Sequence, residues 1–244
     1  MEIRIGTSGW NYPHWKDIFY TSGLAKTKWL EFYTTQFDTV ELNATFYRLP
    51  SEKTFQNWYK RTPPDFLWSL KANRLITHIK KLRDVKEPLN RFYQLISGLK
   101  EKCRVILFQL PPSLAFEENL LKEFCSLLNP HYKYTLEIRH KSWINDKMFE
   151  MLSEHNIAFC ISDSAGRFPY YEAITADFVY IRLHGPTKLY ASEYSDAQIN
   201  EWAEKLIEWG KDAFVYFDND FAGYAVKNAK MLKKVLIQKK SCQR

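Results

Sequence analysis

The chain has 244 residues, 45% of them hydrophobic and 16% aromatic, enough apolar surface for one large α/β domain or two small ones. Its formal charge of +7 brings anionic ligands and nucleic acid into consideration, although Lys233, Lys234, Lys239, Lys240 and Arg244 gather at the C-terminus and read as a solvated tail. No apolar run approaches the ~20 residues of a membrane span, and the four cysteines show no CxxC spacing, which argues against a disulfide framework or a thiolate metal site.

In chain order, "MEIRIGTSGW" enters a strand at 3–7 with no secretory leader ahead of it, so the expected location is cytoplasmic. Strand-like runs follow at 39–43 (TVELN), 66–72 (FLWSLKA) and 104–110 (RVILFQL). Leu120, Leu121, Phe124, Leu127 and Leu128 then mark one face of a helix ahead of a strand at 134–140 (YTLEIRH). After the run at 157–164 (IAFCISDS), a stretch with Gly166 and Pro169 lacks helical period, and the next strand is 178–185 (FVYIRLHG). Ser195-x-x-Gln198 reads as a capping box for a helix whose stripe is Ile199, Trp202, Leu206 and Trp209, and the last strand is 213–220 (AFVYFDND). Eight strands with intervening helices in this length predict an α/β fold: a (β/α)8 TIM barrel with a parallel, closed sheet, forming a single domain over 1–236 with a basic tail at 237–244. An open doubly wound sheet is disfavoured, because "GTSG" at 6–9 is too short for a dinucleotide fingerprint and leads into Trp10.

Alternation sets Glu41 and Asn43 opposite Val40 and Leu42, Glu137 and Arg139 opposite Leu136 and Ile138, and Arg182 and His184 opposite Ile181 and Leu183. Lys71 and Asp218 follow the same pattern, while Gln109 and Asp163 are the polar ends of strands otherwise apolar on both faces. The outer face of a barrel strand packs under helices and must be apolar, so the polar set is expected to point inward, at the C-terminal mouth where barrel active sites are built. Buried charges need partners or a ligand; a self-satisfied ion-pair network is the alternative to a binding pocket.

Four acids (Glu41, Glu137, Asp163, Asp218) and three bases (Lys71, Arg139, Arg182) nearly cancel, so a small anion held by the cations is preferred to a divalent metal, which remains the alternative cofactor. Glu41, Glu137 and His184 are the acid–base candidates. Asn43, Lys71, Gln109, Arg139, Asp163, Arg182 and Asn219 are the ligand-binding candidates, with Trp10 and Tyr47 among aromatics expected at the rim, together with Tyr12, Trp15, Phe46 and Trp143. Five Lys or Arg within "RLITHIKKLRDVK" (74–86) offer a nucleic-acid backbone contact or, more simply, a solvated face.

The blocks "GTSGWNYPHW" (6–15), "VELNATFYRLP" (40–50), "WSLKANRLITHIKKL" (68–82), "ILFQLPPS" (106–113), "LEIRHKSW" (136–143), "YIRLHGP" (180–186), "LYASEYS" (189–195) and "VYFDNDFAGYAVKNA" (215–229) resemble the YecE-like family, domain of unknown function family 72. The resemblance implies a TIM barrel and supplies no reaction. Relatives often read "FNND" where this chain has "FDND", which makes Asn219 a stronger binding candidate than Asp218. The expected function is an enzyme acting on a small polar or anionic metabolite, with a sugar derivative one option, by metal-free acid–base chemistry. A nucleic-acid-binding or processing protein and a metal-dependent hydrolase or isomerase are the alternatives. Oligomeric state is not legible in the sequence, and no membrane partner is expected.

Overall fold

The computed structural model describes residues 1–242. Its strands are β1 (Ile3–Thr7), β2 (Thr39–Leu42), β3 (Leu67–Lys71), β4 (Cys103–Gln109), β5 (Lys133–Glu137), β6 (Ile157–Asp163), β7 (Phe178–Leu183) and β8 (Asp212–Phe217). They pair in parallel in the order β1-β8-β7-β6-β5-β4-β3-β2. The ends of that order meet at a seam: Ser8 bridges Glu41, and Gly9 N–H donates to the Glu41 carbonyl at 2.7 Å, giving a nearly closed barrel. Gly6 permits this approach, because a Cβ there would lie 2.3 Å from the Thr39 carbonyl oxygen. The Tyr33 hydroxyl stitches the same seam, accepting from Thr7 N–H at 3.0 Å and donating to the Thr39 carbonyl at 3.1 Å.

The helices are α1 (Trp29–Thr34), α2 (Ala44–Tyr47), α3 (Glu52–Lys60), α4 (Lys86–Ile96), α5 (Glu118–Ser126), α6 (Asp146–Glu154), α7 (Asp196–Trp209) and α8 (Tyr224–Cys242). Ser195 and Gln198 form the expected box at the start of α7, which stops at Gly210 in the left-handed region (φ 61°). No helix lies between β6 and β7. Residues 237–242, the described part of the basic, solvated tail expected at 237–244, continue α8; Gln243 and Arg244 lie outside the described residues. None of the helices is long and apolar enough to cross a membrane.

Period-2 alternation divides the apolar residues into two bodies. Val105, Leu107, Ala158, Cys160, Phe178, Tyr180, Phe214 and Tyr216 fill the barrel interior. Val40, Leu42, Trp68, Leu70, Ile106, Phe108, Leu136, Ile161, Ile181 and Val215 face outward into the layer shared with the helices. The interior turns polar toward the strand C-termini, where the functional candidates lie.

Candidate functional site

Arg182, the third inward residue of β7 after Phe178 and Tyr180, occupies the centre of the upper barrel with 1% of its surface exposed. Its Nε approaches both Glu41 oxygens at 3.1 and 3.0 Å, and Nη2 reaches Glu41 Oε1 at 2.8 Å and Asp218 Oδ2 at 3.1 Å. Nη1 donates to Glu137 Oε2 at 2.7 Å and lies 3.3 Å from His184 Nε2. Burial works against this charge, but Glu41, Glu137 and Asp218 outweigh it and hold the guanidinium protonated well above its ordinary range. The carboxylates are saturated in turn. Ser8 Oγ and the Tyr180 hydroxyl each donate to Glu41 at 2.7 Å. Gln109 Nε2 donates to both Glu137 oxygens at 2.8 Å, and Arg139 Nε donates at 3.1 Å. Burial pushes the Glu137 carboxyl up, yet Arg182 and Arg139 outweigh it and keep it well below the usual range.

His184 is buried between Arg182 and Asp218. A guanidinium can only donate, so Nε2 is the acceptor and the ring proton sits on Nδ1. That nitrogen lies 2.8 Å from Asp218 Oδ2 but off the line of its N–H, so the contact is more electrostatic than a hydrogen bond. Tyr190 packs edge-on to the imidazole, 5.5 Å between ring centres. Burial pushes the Asp218 carboxyl up, and Arg182 and His184 more than reverse this.

Two cations at the edge of the network remain available. Arg139 spends Nε on Glu137 and stacks its guanidinium on Phe168, 4.1 Å from the ring centre, leaving both terminal nitrogens unpaired among the described residues. Lys71, at the end of β3, has no carboxylate within 4.0 Å among the described residues, and its Nζ lies 4.2 Å over the Phe46 ring. Burial, then the charge on Arg182, lowers its ammonium to about 8.

The structure therefore brings together Glu41, Lys71, Gln109, Glu137, Arg139, Arg182, His184 and Asp218. Glu41, Glu137, Arg182 and His184, however, are sealed from solvent. Other expectations are corrected. Asp163 shares the outward parity of Phe159 and Ile161; Ser162 is the inward residue. Asp163 accepts from the Tyr194 hydroxyl at 2.8 Å and lines a separate groove of about 280 Å³ with Phe168, Tyr170 and Trp202. The inward charge count thus becomes three acids (Glu41, Glu137, Asp218) against three bases (Lys71, Arg139, Arg182).

Asn219 also has outward parity. Its Nδ2 donates to the Ser192 carbonyl at 2.9 Å and Asn228 Oδ1 at 3.0 Å, tying the loop after β7 to α8, while Asp218 is the residue in the network. Asn43 leaves the ladder at the start of α2, with Oδ1 buried and unpartnered. Trp10 packs edge-on against Trp58 and Trp68 at 5.6 and 5.3 Å between ring centres, and Trp15 and Trp143 are fully buried, so these indoles are core and not rim. Tyr47, at the end of α2, is 71% exposed.

The basic run of 74–86 is anchored by buried Ile76, Leu82 and Val85, and Arg83 is clamped by both Glu117 oxygens at 2.6 and 2.9 Å. Among the described residues no three or more His, Cys, Asp or Glu gather to hold a metal ion. Sequence reasoning missed Ser8, Tyr180, Phe168 and Tyr190. Tyr180 was readable, since it shares the parity of Arg182 and His184 on β7.

Fold and mouth together define a (β/α)8 barrel protein with a charged, largely self-paired C-terminal end. The chain belongs to the family described as "Protein of unknown function DUF72", whose model matches residues 4–244. It is 26% identical to UPF0759 protein YunF of Bacillus subtilis across 96% of this chain and 94% of that protein. It is 30% identical to UPF0759 protein YecE of Escherichia coli K12, over 57% of this chain and 48% of that one. A DUF72 family protein of Thermotoga maritima superposes with a TM-score of 0.88 at 30% identity, covering 97% of this chain and 100% of that one. A glycoside hydrolase family 5 enzyme of Prevotella bryantii, 8% identical with a TM-score of 0.51 over 96% and 95% of the two chains, shares the fold alone.

Proposed function

We propose that the barrel mouth is the active site of an enzyme acting on a small anionic metabolite by acid–base chemistry. The observation that carries this reading is the outward reach of two cations whose charges complete the balance of Glu41, Glu137 and Asp218: Arg139, with both terminal nitrogens unpaired among the described residues, and Lys71, which makes no ion pair among them. A planar guanidinium with both terminal nitrogens unpaired suits two-point contact with a carboxylate or phosphate. The sealed network beneath acts as a rigid floor: Glu41 and Glu137 hold Arg182 and are closed to a substrate proton. The proton-transfer role expected of them passes to Lys71 at the mouth, whose ammonium burial and the charge on Arg182 lower to about 8. A nucleic-acid role is less supported, because Arg83 is paired and the Trp residues expected at the rim are core.

The test is a thermal-shift screen of small carboxylates, sugar phosphates and neutral sugars on the unsubstituted chain and Arg139→Gln. Stabilisation by anions that disappears in Arg139→Gln is the expected result. A screen in which only neutral sugars or only metal salts stabilise the protein counts against the reading.

A further inference from the structure

We propose that Lys71 is a covalent attachment point: its amine condenses with the carbonyl carbon of a small aldehyde- or ketone-bearing carboxylate to form an imine. This rests on the reading of the mouth as an anion site and names the substrate class of that site.

The molecule contains its own control for what a structural buried lysine looks like. Lys102, at the opposite end of the barrel ahead of β4, is buried with its Nζ donating to the Tyr59 carbonyl at 2.8 Å, the Thr62 carbonyl at 2.7 Å and Thr62 Oγ1 at 3.2 Å. Three donors meet three acceptors, as a buried ammonium requires. Lys71 has 9% of its surface exposed, and its Nζ reaches the mouth with neither a protein hydrogen-bond acceptor nor a carboxylate partner among the described residues. Both amines overlie an aromatic ring, Phe46 for Lys71 and Tyr59 for Lys102, but only Lys71 has the cations Arg182 and Arg139 acting on it. Glu137 and Glu41 favour its charge, but burial and the two arginines outweigh them, so the neutral amine, which is the nucleophile, is far more populated near pH 7 than in an ordinary lysine. Desolvation together with neighbouring cations is a physical route to an activated amine.

The partners for the reaction are at hand. The terminal nitrogens of Arg139 suit the carboxylate of the incoming compound. His78 packs edge-on to the same Phe46 ring that Lys71 overlies, 4.8 Å between ring centres. Burial, then the charges of Lys71 and Arg139, lowers the His78 imidazole to about 4, so it is neutral at physiological pH and adds no further positive charge beside the amine.

In the condensation the amine lone pair attacks the carbonyl carbon, the carbonyl oxygen takes up a proton, and a carbinolamine forms. The C–O bond then breaks as the hydroxyl leaves as water. Overall, lysine ammonium and carbonyl give a protonated imine and water, with no change of oxidation state, and hydrolysis reverses the step.

The experiment incubates the full chain at neutral pH with pyruvate, or with acetone as an uncharged probe, in the presence of cyanoborohydride. Cyanoborohydride supplies the hydride that traps an imine as a secondary amine, and peptide mass mapping locates the label. The expected result is labelling of Lys71 by pyruvate roughly tenfold above exposed lysines, reduced several-fold in Arg139→Gln while acetone labelling of Lys71 is unchanged. Labelling of Lys71 no faster than exposed lysines overturns the proposal. A parallel thermal shift with malonate separates the two ideas. If Lys71 is unlabelled but malonate stabilises the native chain through Arg139, the imine is wrong and the anion site stands; if malonate has no effect either, both fall. Lys71→Arg retains the charge and gives no reducible imine, so it should still respond to malonate and confirms that the folded barrel is being read.

Discussion

Arg182 is held in the barrel because every one of its nitrogens faces an acceptor, and this makes it the residue the fold can least spare. Removing one member of a buried, hydrogen-bonded ion network leaves the others uncompensated and costs about 3–5 kcal/mol. Arg182→Met should therefore lose stability on that scale in denaturant unfolding, because Glu41 and Glu137 would be stranded without their shared cation. Lys71 should behave in the opposite sense. Its folded pKa of about 8 lies below the ordinary 10.5, so the unfolded chain binds more protons between those values. The Lys71 contribution to stability therefore rises from pH 8 to 10.5, and below pH 8 its buried charge is a burden. Comparing Lys71→Met with the unsubstituted chain isolates this from other groups titrating there. The variant should be the more stable at pH 7, by about 1–2 kcal/mol, and the difference should shrink by pH 10.

Among elements, the seam between β1 and β2 is the weak point of closure, since it rests on one bridge, the Ser8–Glu41 side-chain bond and the Tyr33 stitches and not on a full ladder. Gly6→Ala would drive a methyl into the Thr39 carbonyl. Overpacking against fixed backbone costs about 1–3 kcal/mol or more, so the variant should melt several degrees lower, a shift readable by calorimetry. Parity along each strand explains which candidates the sequence placed well. On β2, β5 and β7 polar and apolar residues alternate cleanly, so Glu41, Glu137, Arg139, Arg182 and His184 could be assigned to the interior before any coordinates. On β6 both faces are apolar, alternation carries no signal, and Asp163 was assigned inward when Ser162 holds that position. Asn219 follows the same rule: one residue past Asp218, it points the other way and joins loops.

At the scale of the molecule, the eightfold alternation and the ordered motif blocks were enough to read the barrel and its family from sequence. The division of labour within the mouth was not legible. Which charges are consumed by neighbours depends on distances across the ring between residues far apart in sequence, as Glu41 on β2 and Arg182 on β7 are, 141 positions from one another. The indoles of Trp10, Trp15 and Trp143 were misplaced for a related reason, because a loop aromatic that folds back into the helix layer has the same sequence signature as one at a rim.

The central claim is that Arg139 and Lys71 are the anion-binding face of the mouth, above a floor closed by its own ion pairs. Its most direct test is isothermal titration of malonate into the unsubstituted chain, Arg139→Gln and Arg104→Gln, the last at an exposed arginine on the lower face of the barrel. The account predicts salt-sensitive binding, weakened about tenfold by Arg139→Gln and unchanged by Arg104→Gln. Binding that survives Arg139→Gln, or that is lost only with Arg104→Gln, would contradict it.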